Sequence, residues 1–287
     1  MTGAPTQGQG HETVLAQVCA DRLGVPLERI TVLGGDTALI AHGIGTFASR
    51  VGVLASNAVG EAATAVRERI LELAGEMLEV AASDLVVEDG RVSVAGAPGV
   101  GVEFADVARR AARGAGPSDQ PPGLEAVRYF KAPKITYANG THVAAVEVDR
   151  DTGEVTILRY AIAHDCGRVI NPMIVEGQIW GGLACGLGNA LLEQHAYDAQ
   201  GQLLTGSFMD YAMPRAADVP EVELTHQETP SALNPLGVKG AGEAGTVPVP
   251  AVIGNAVDDA LRPLGIRVLD HPLTPFRVWS LLHEVRR

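Results

Sequence analysis

Three short stretches of the sequence carry side chains whose types and spacing could do chemistry. Gly240-Ala-Gly-Glu-Ala-Gly245 holds a carboxylate, Glu243, in a tight glycine loop with Lys239 close in sequence. The spacing also fits G-x-G-x-x-G, the phosphate turn of dinucleotide enzymes. That turn works only with a strand before the glycines and a helix opening on them, so that the helix N-terminus meets the pyrophosphate. Here Leu233-Asn-Pro-Leu-Gly-Val-Lys239 precedes, broken by proline and glycine, and Thr246-Val-Pro-Val-Pro250 delays any helix. The acids farther on, Asp258 and Asp259, fall inside a predicted helix and not at a strand end. A nicotinamide-dependent dehydrogenase is therefore disfavoured. A glycine loop could instead bring Glu243 to a buried reactive centre, where a carboxylate becomes a usable base. From the residues alone, an exposed turn glutamate is the plainer reading.

His164-Asp165-Cys166 has the composition of a nucleophile set, but neighbours on a strand point to opposite faces and cannot converge on one atom. Cys166 is read as core and His164 as structural. His11-Glu12 lacks the second histidine of H-E-x-x-H, so a zinc hydrolase is not supported. The cysteines, Cys19, Cys166 and Cys185, form no C-x-x-C pair, which argues against a zinc ribbon, an iron–sulfur cluster or a disulfide framework. Cys185, on a glycine-rich helix, is expected to be buried packing.

The 287 residues are enough for one large domain or two modest ones, and 46% hydrophobic content argues against disorder. A formal charge of −12 with no basic block makes a poor nucleic-acid binder. The first residues, MTGAPTQGQGHE, have no basic or apolar region of a signal peptide, and no apolar run reaches membrane-span length, so a cytoplasmic location without a membrane span is expected.

The elements that must position these residues are legible from periodicity. Helical spacing predicts helices over His11–Leu23, Val51 to about Ala82, Phe104–Ala112, Pro172–Leu192, Pro250–Leu261 and Pro275–Val285. A short strand is predicted at Arg29–Leu33 and another at Glu221–Thr225. Hairpins are predicted over residues 85–94, turning at Asp89-Gly90, and over Thr141–Ala163, turning around Asp151-Thr-Gly153. Residues 114–123, GAGPSDQPPG, read as a linker between segments 1–113 and 124–287. Strand pairs and helices intersperse without steady β-α alternation, so the fold class is α+β, with mixed sheets and packed helices.

Several segments, taken together, tip the balance on Glu243. Gly8-Gln-Gly-His-Glu-Thr13, Gly45-Thr-Phe-Ala-Ser-Arg50, Gly177-Gln-Ile-Trp-Gly-Gly-Leu-Ala-Cys-Gly-Leu-Gly188, Ser207-Phe-Met-Asp-Tyr211, Asn234-Pro-Leu-Gly-Val-Lys-Gly-Ala-Gly-Glu-Ala-Gly245 and Pro272-Leu-Thr-Pro275 occur in one order. Their co-occurrence resembles the C-terminal half of the molybdenum-binding subunit of the xanthine dehydrogenase / aldehyde oxidase / carbon monoxide dehydrogenase family, over essentially the whole chain.

The resemblance implies hydroxylation at carbon, with water as oxygen source, by a molybdenum–molybdopterin cofactor of mononucleotide or cytosine dinucleotide form. It implies that Glu243 is the base beside the metal and that Gln9, in the Gly8-Gln9-Gly10 step, hydrogen-bonds a terminal oxygen. It implies that Gly45, Thr46, Phe47, Ala48, Ser49 and Arg50 hold the pterin and its phosphate, with Gln178 as a further pterin contact. Arg50 reads equally as a charge partner or a structural arginine. No side chain of the chain is expected to ligate the metal, which the family holds through the pterin dithiolene.

The family's N-terminal half is expected on a partner chain if the gene is split. [2Fe–2S] and FAD are likewise expected on iron–sulfur and flavin subunits. The loop Gly-Thr-Phe-Ala-Ser-Arg looks more like the carbon monoxide dehydrogenase-type large chain than the eukaryotic purine enzymes. The family's copper-binding cysteine loop would lie upstream of this chain, so aldehydes, aromatic N-heterocycles and carbon monoxide all stay open as substrates. A truncated, inactive remnant that only binds cofactor is the alternative. The reading requires Glu243, Gln9 and Gln178 to line one cleft.

Overall fold

The computed structural model describes residues 1–114 and 122–284. Most of the predicted linker, and Val285 of the last predicted helix, lie outside the described residues. The chain divides into two compact units, Met1–Ile135 with Ala232–Gly237, and Thr136–Ser231 with Val238–Arg287. Each holds one three-stranded sheet. The α+β class is as expected, and the second sheet is mixed.

In the first unit, α1 (His11–Leu23) has the predicted bounds and buries Leu15, Ala16 and Val18. It stops at Gly24, whose left-handed φ of 72° lets its N–H bond the Ala20 carbonyl. α2 spans Val51–Leu78 and packs on α1. It ends several residues before the expected Ala82. Apolar spacing continues to Val80, but Val80 N–H turns back onto the Gly75 carbonyl at 3.0 Å. Any side chain at Gly75 would meet the Val80 carbonyl oxygen at 2.8 Å, so this glycine permits the reversal.

β1 (Leu85–Glu88) and β2 (Arg91–Val94) form the predicted hairpin, with Asp89 and Gly90 both left-handed at φ 51° and 78°. β3 (Ala97–Glu103) adds antiparallel to β2 and was not legible, because Ala-Pro-Gly-Val-Gly-Val-Glu is rich in proline and glycine, which are depleted in strands. α3 (Phe104–Ala112) lies where predicted and packs Val107 and Ala111 against Ile70, Leu73 and Val92. The strand expected at Arg29–Leu33 is absent. Leu27–Arg29 forms a single 3-10 turn, and the extended stretch after it makes one isolated bridge, Thr2 to Gly34. Apolar alternation there had no neighbouring strand to pair with.

In the second unit, β4 (Asn139–Val148) and β5 (Val155–Asp165) form the predicted antiparallel hairpin, and β6 (Val222–His226) runs parallel to β5. α4 (Pro172–Leu187) starts with proline in its first turn and with Asn171 Oδ1 accepting from Ile174 N–H at 3.1 Å. It continues through a π turn, Gly188–Leu192, to the predicted end. Cys185 is exposed, against expectation. The buried stripe of α4 is Ile179, Leu183, Gly186 and Leu187, and a residue two beyond Leu183 faces away from it. α5 (Val249–Leu261) and α6 (Pro275–Glu284) complete the unit. Its core joins Tyr160 and Ile162 of the sheet to Leu183 of α4, Ile253 of α5 and Val278 of α6.

The hairpin turn between β4 and β5 is also a packing point. Gly153 has φ 76°, and a Cβ there would lie 2.2 Å from the Pro275 carbonyl oxygen and 2.5 Å from Trp279 N. Gly153→Ala must therefore push α6 away. We expect a loss of roughly 1–3 kcal/mol, read as a fall of several degrees in thermal midpoint. Gly201→Ala is the control, since Gly201 has φ 83° but nothing within 4 Å of its Cβ position, and it should cost less.

Candidate cofactor-binding and catalytic segments

The first unit brings together Gln9, Gly10 and the loop 45–50. Thr46 Oγ1 donates to the Pro5 carbonyl at 2.7 Å, and Gln7 Nε2 donates to the Thr46 carbonyl at 3.5 Å. Gln9 Oε1 accepts from Gln7 N–H and from the Thr6 hydroxyl, which leaves the amide nitrogen as its usable donor. Gly8 and Gly10 are both left-handed, and Gly10 is the N-cap of α1.

The loop itself is unusual backbone. Gly45, Ala48 and Ser49 have φ of 83°, 52° and 51°. Two successive non-glycine residues in the left-handed region store strain of the kind found at binding sites. Arg50 follows as the N-cap of the 28-residue α2, with no side-chain cap. Its guanidinium sits 4.2 Å from the centre of the half-exposed Phe47 ring and donates to the Gly45 carbonyl at 3.4 Å, while its Nε is buried without a partner. An uncapped helix start of this kind favours an anion.

The second unit brings together Gln178 and the loop of Glu243. Gln178 is half-buried on α4. A Cβ at Gly182 would lie 2.9 Å from Gly245 Cα, one at Gly245 would lie 2.4 Å from the Ile179 carbonyl oxygen, and one at Gly186 would lie 2.5 Å from Val249 Cβ. Residues 245–249 therefore lie directly on the glycine face of the helix that carries Gln178. Gly177 and Gly181, on either side of Gln178, meet nothing within 4 Å. The Glu243 carbonyl accepts from Thr246 and Val247 N–H at 3.1 and 3.2 Å, and no helix begins until Val249. That is not the geometry of a dinucleotide turn. Glu243 is exposed in this chain. Gln9, Gly10 and the loop 45–50 belong to one unit, Gln178 and Glu243 to the other.

Sequence reasoning passed over Asp165. It is buried at the end of β5, with Oδ1 accepting from Gly167 N–H at 2.7 Å and Oδ2 accepting from the Thr229 hydroxyl. Lys239 Nζ lies 3.0 Å from Oδ2. Burial pushes this carboxyl up, but its bonds from Thr229, Gly167 and Lys239 outweigh that and hold it well below the usual carboxylate range. The signal available was Lys239 itself, a cation four residues before Glu243. Cys166 is buried, and burial raises its thiol to about 11, so it is inert core as expected.

His164 is buried beside His226, with ring centroids 6.0 Å apart, and His142 Nδ1 is 3.0 Å from the Tyr160 hydroxyl. Burial, then the neighbouring His164, lowers His142 to about 4; burial, then His226, lowers His164 despite Asp165.

The α+β build thus carries a left-handed loop at the start of its longest helix. A family model described as Molybdopterin cofactor-binding domain matches residues 1–220, and the chain belongs to that family. It is 44% identical over 279 residues to the nicotine 6-hydroxylase large subunit of Paenarthrobacter nicotinovorans, covering 96% of this chain and 34% of the relative. It is 42% identical over 282 residues to the carbon monoxide dehydrogenase large chain of Hydrogenophaga pseudoflava, covering 98% and 35%. The solved quinoline 2-oxidoreductase of Pseudomonas putida 86 superposes with a TM-score of 0.88 at 43% identity, covering 98% of this chain and 36% of that one. The chain spans about a third of the length of the curated relatives it matches.

The lowered histidines give a pH dependence with a definite sign. The folded chain keeps His142 and His164 neutral, while the unfolded chain takes up protons below about 6.5. Stability should fall as pH drops from about 6.5 and, for the His142 contribution, level off below its folded value of about 4. Thermal midpoints measured across that range should show the fall. His142→Gln with His164→Gln should flatten it, and an equally steep fall in the double variant would refute the assignment.

Proposed function

We propose that the chain is the C-terminal part of the large subunit of a molybdenum hydroxylase. The reading rests most on the packing of the Glu243 loop against the glycine face of the Gln178-bearing helix, in a chain of the molybdopterin cofactor-binding family. The loop Gly45–Arg50 fits an anionic, oxygen-rich group. It offers left-handed main chain at Ala48 and Ser49, an uncapped helix start and the unpartnered buried Nε of Arg50. An acidic chain needs such local donors, because its overall field repels anions.

In this reading Gly45, Thr46, Phe47, Ala48, Ser49 and Arg50 hold the pterin and its phosphate, in mononucleotide or cytosine dinucleotide form. Gln178 contacts the pterin, and the bare backbone at Gly177 and Gly181 lets a flat ring approach. Gln9 donates its amide N–H to a terminal oxygen, steadying it without adding charge, and Gly10 leaves that approach open. When bound, the molybdenum–molybdopterin supplies the redox chemistry of hydroxylation. Glu243 accepts, at its carboxylate, the proton of the water that provides the product oxygen. The substrate is an aldehyde, an N-heterocycle or carbon monoxide.

The partners proposed are the remainder of the large subunit, here or on another chain, and subunits carrying [2Fe–2S] and FAD. The turn Ser207–Tyr211 supports a covering partner, since it is held by Ser207 Oγ to Asp210 Oδ2 at 2.8 Å yet presents Phe208 and Met209 at 85% and 94% exposure. Among the described residues no helix is long and apolar enough to cross a membrane, and a cytoplasmic location is proposed.

Co-expression with the neighbouring reading frames, followed by molybdenum analysis and turnover on the three substrate classes, tests the proposal. We expect molybdenum and hydroxylase activity in the assembled protein. Glu243→Gln should lose at least about 10²-fold in turnover with molybdenum retained. Unchanged turnover would refute Glu243 as base, and molybdenum without turnover in the wild type would identify a cofactor-binding remnant.

A further inference from the structure

We propose that Asp165, acting through Lys239, is the positioning residue that sets where Glu243 stands; the proposal rests on the reading of Glu243 as the base. The last ladder of β5 ends at Asp165, but the chain does not let go there. Lys239 N–H donates to the Cys166 carbonyl at 2.7 Å, and Gly167 bridges antiparallel to Val238. The strand that carries Asp165 thus continues into the segment that leads to Glu243.

The side chains repeat the tie. Lys239 Nζ lies 3.0 Å from Asp165 Oδ2 and donates to Thr229 Oγ1 at 2.7 Å. Thr229 N–H donates to Asp165 Oδ1 at 3.3 Å. The two charged side chains are 10% and 11% exposed. Burying an ion pair costs desolvation, and apolar residues of the same volume often serve stability as well, so such a pair is better explained by what it fixes than by what it stabilises.

What it fixes is one end of a short, glycine-rich span. Gly240 and Gly242 flank Ala241 before Glu243, and glycine main chain has wide freedom. The far end is held by shape, with Gly245 seated on the Ile179 backbone. Glu243 therefore stands between a charge-locked residue and a sterically locked one, with its own carbonyl accepting from Thr246 and Val247 N–H. Releasing the first leaves the second as a hinge, and a displacement of about 1 Å at a catalytic group costs on the order of 10²-fold in rate.

The test uses Lys239→Met, Asp165→Asn and Lys239→Arg. Amide hydrogen exchange is measured on the full chain, and the steady-state kinetics on the co-expressed assembly. In Lys239→Met, Asp165 keeps its bonds from Gly167 and Thr229, so this variant decides the matter even if Asp165→Asn fails to fold. We expect Lys239→Met to speed exchange at least tenfold within residues 240–247 while residues 141–163 stay as in the wild type. In the assembly it should lower kcat at least tenfold, with KM within about twofold and molybdenum retained. Lys239→Arg, which can still bridge Asp165 and Thr229, should restore both readouts at least in part. Wild-type exchange in 240–247 for Lys239→Met would overturn the proposal, as would acceleration spread evenly over the whole unit. If Glu243→Gln keeps its turnover, the base reading fails, while the exchange result still judges the anchor by itself.

Discussion

Main chain meets main chain where α4 passes residues 245–249, and the second unit's candidate residues depend on that contact. Gly182 faces Gly245, Gly245 faces the Ile179 carbonyl, and Gly186 faces Val249, all at distances no Cβ could share. A glycine in a helix interior costs about 1 kcal/mol relative to alanine. α4 carries Gly177, Gly181, Gly182 and Gly186 and is nonetheless helical, so tertiary packing outweighs propensity there. Two of the four are accounted for by the close approach. At the other two, Gly177 and Gly181, which flank Gln178, a Cβ would meet nothing within 4 Å among the described residues. One helix thus has a face that seats the Glu243 loop and a bare stretch beside a polar amide.

On the proposed reading the first unit meets a different problem, that of offering a positive end in an acidic protein. A formal charge of −12 gives no long-range help to an anion. What remains is local: peptide N–H groups at the start of α2 and the guanidinium of Arg50. Peptide dipoles act within the first turn of a helix and need no net charge. The left-handed conformations at Ala48 and Ser49 are costly for residues with a Cβ, so their presence needs a compensating role, and shaping the entry to α2 supplies one.

The elements legible in the sequence were those with strong local signals. Glycine at 24 and Asp89-Gly90 marked their boundaries because a left-handed residue is needed there. The long amphipathic stretch from Val51 marked α2. Misreadings came where the deciding partner was remote. Arg29–Leu33 alternates like a strand, yet pairing is a property of two strands, and only Thr2–Gly34 closes. β3 is proline- and glycine-rich, yet Gly101 lets it lie against Val92, where a Cβ would be 2.4 Å from the Val92 carbonyl oxygen. Cys185 was misplaced because a glycine-rich helix hides which of its faces is packed. Of the candidate residues, Glu243 stands out by its glycine loop and gains its role from family resemblance, while Gln9, Gln178 and the 45–50 loop come from the resemblance alone. Asp165 was passed over because its partners, Thr229 and Lys239, lie far along the chain.

The exposure of Glu243 bears on where its reactivity could come from. A closed site expels competing water from around the reacting groups. The loop is fixed at both ends by Lys239 and Gly245, so its position belongs to this chain. Its desolvation does not, among the described residues, because Glu243 faces solvent. Placement and the exclusion of water then have separate origins. The fold sets where the carboxylate stands, and whatever covers that loop, whether cofactor, substrate or further protein, would have to remove the water. On the proposed reading, a carboxylate placed by the fold and covered only in the assembly would meet its water once the reacting groups are in place.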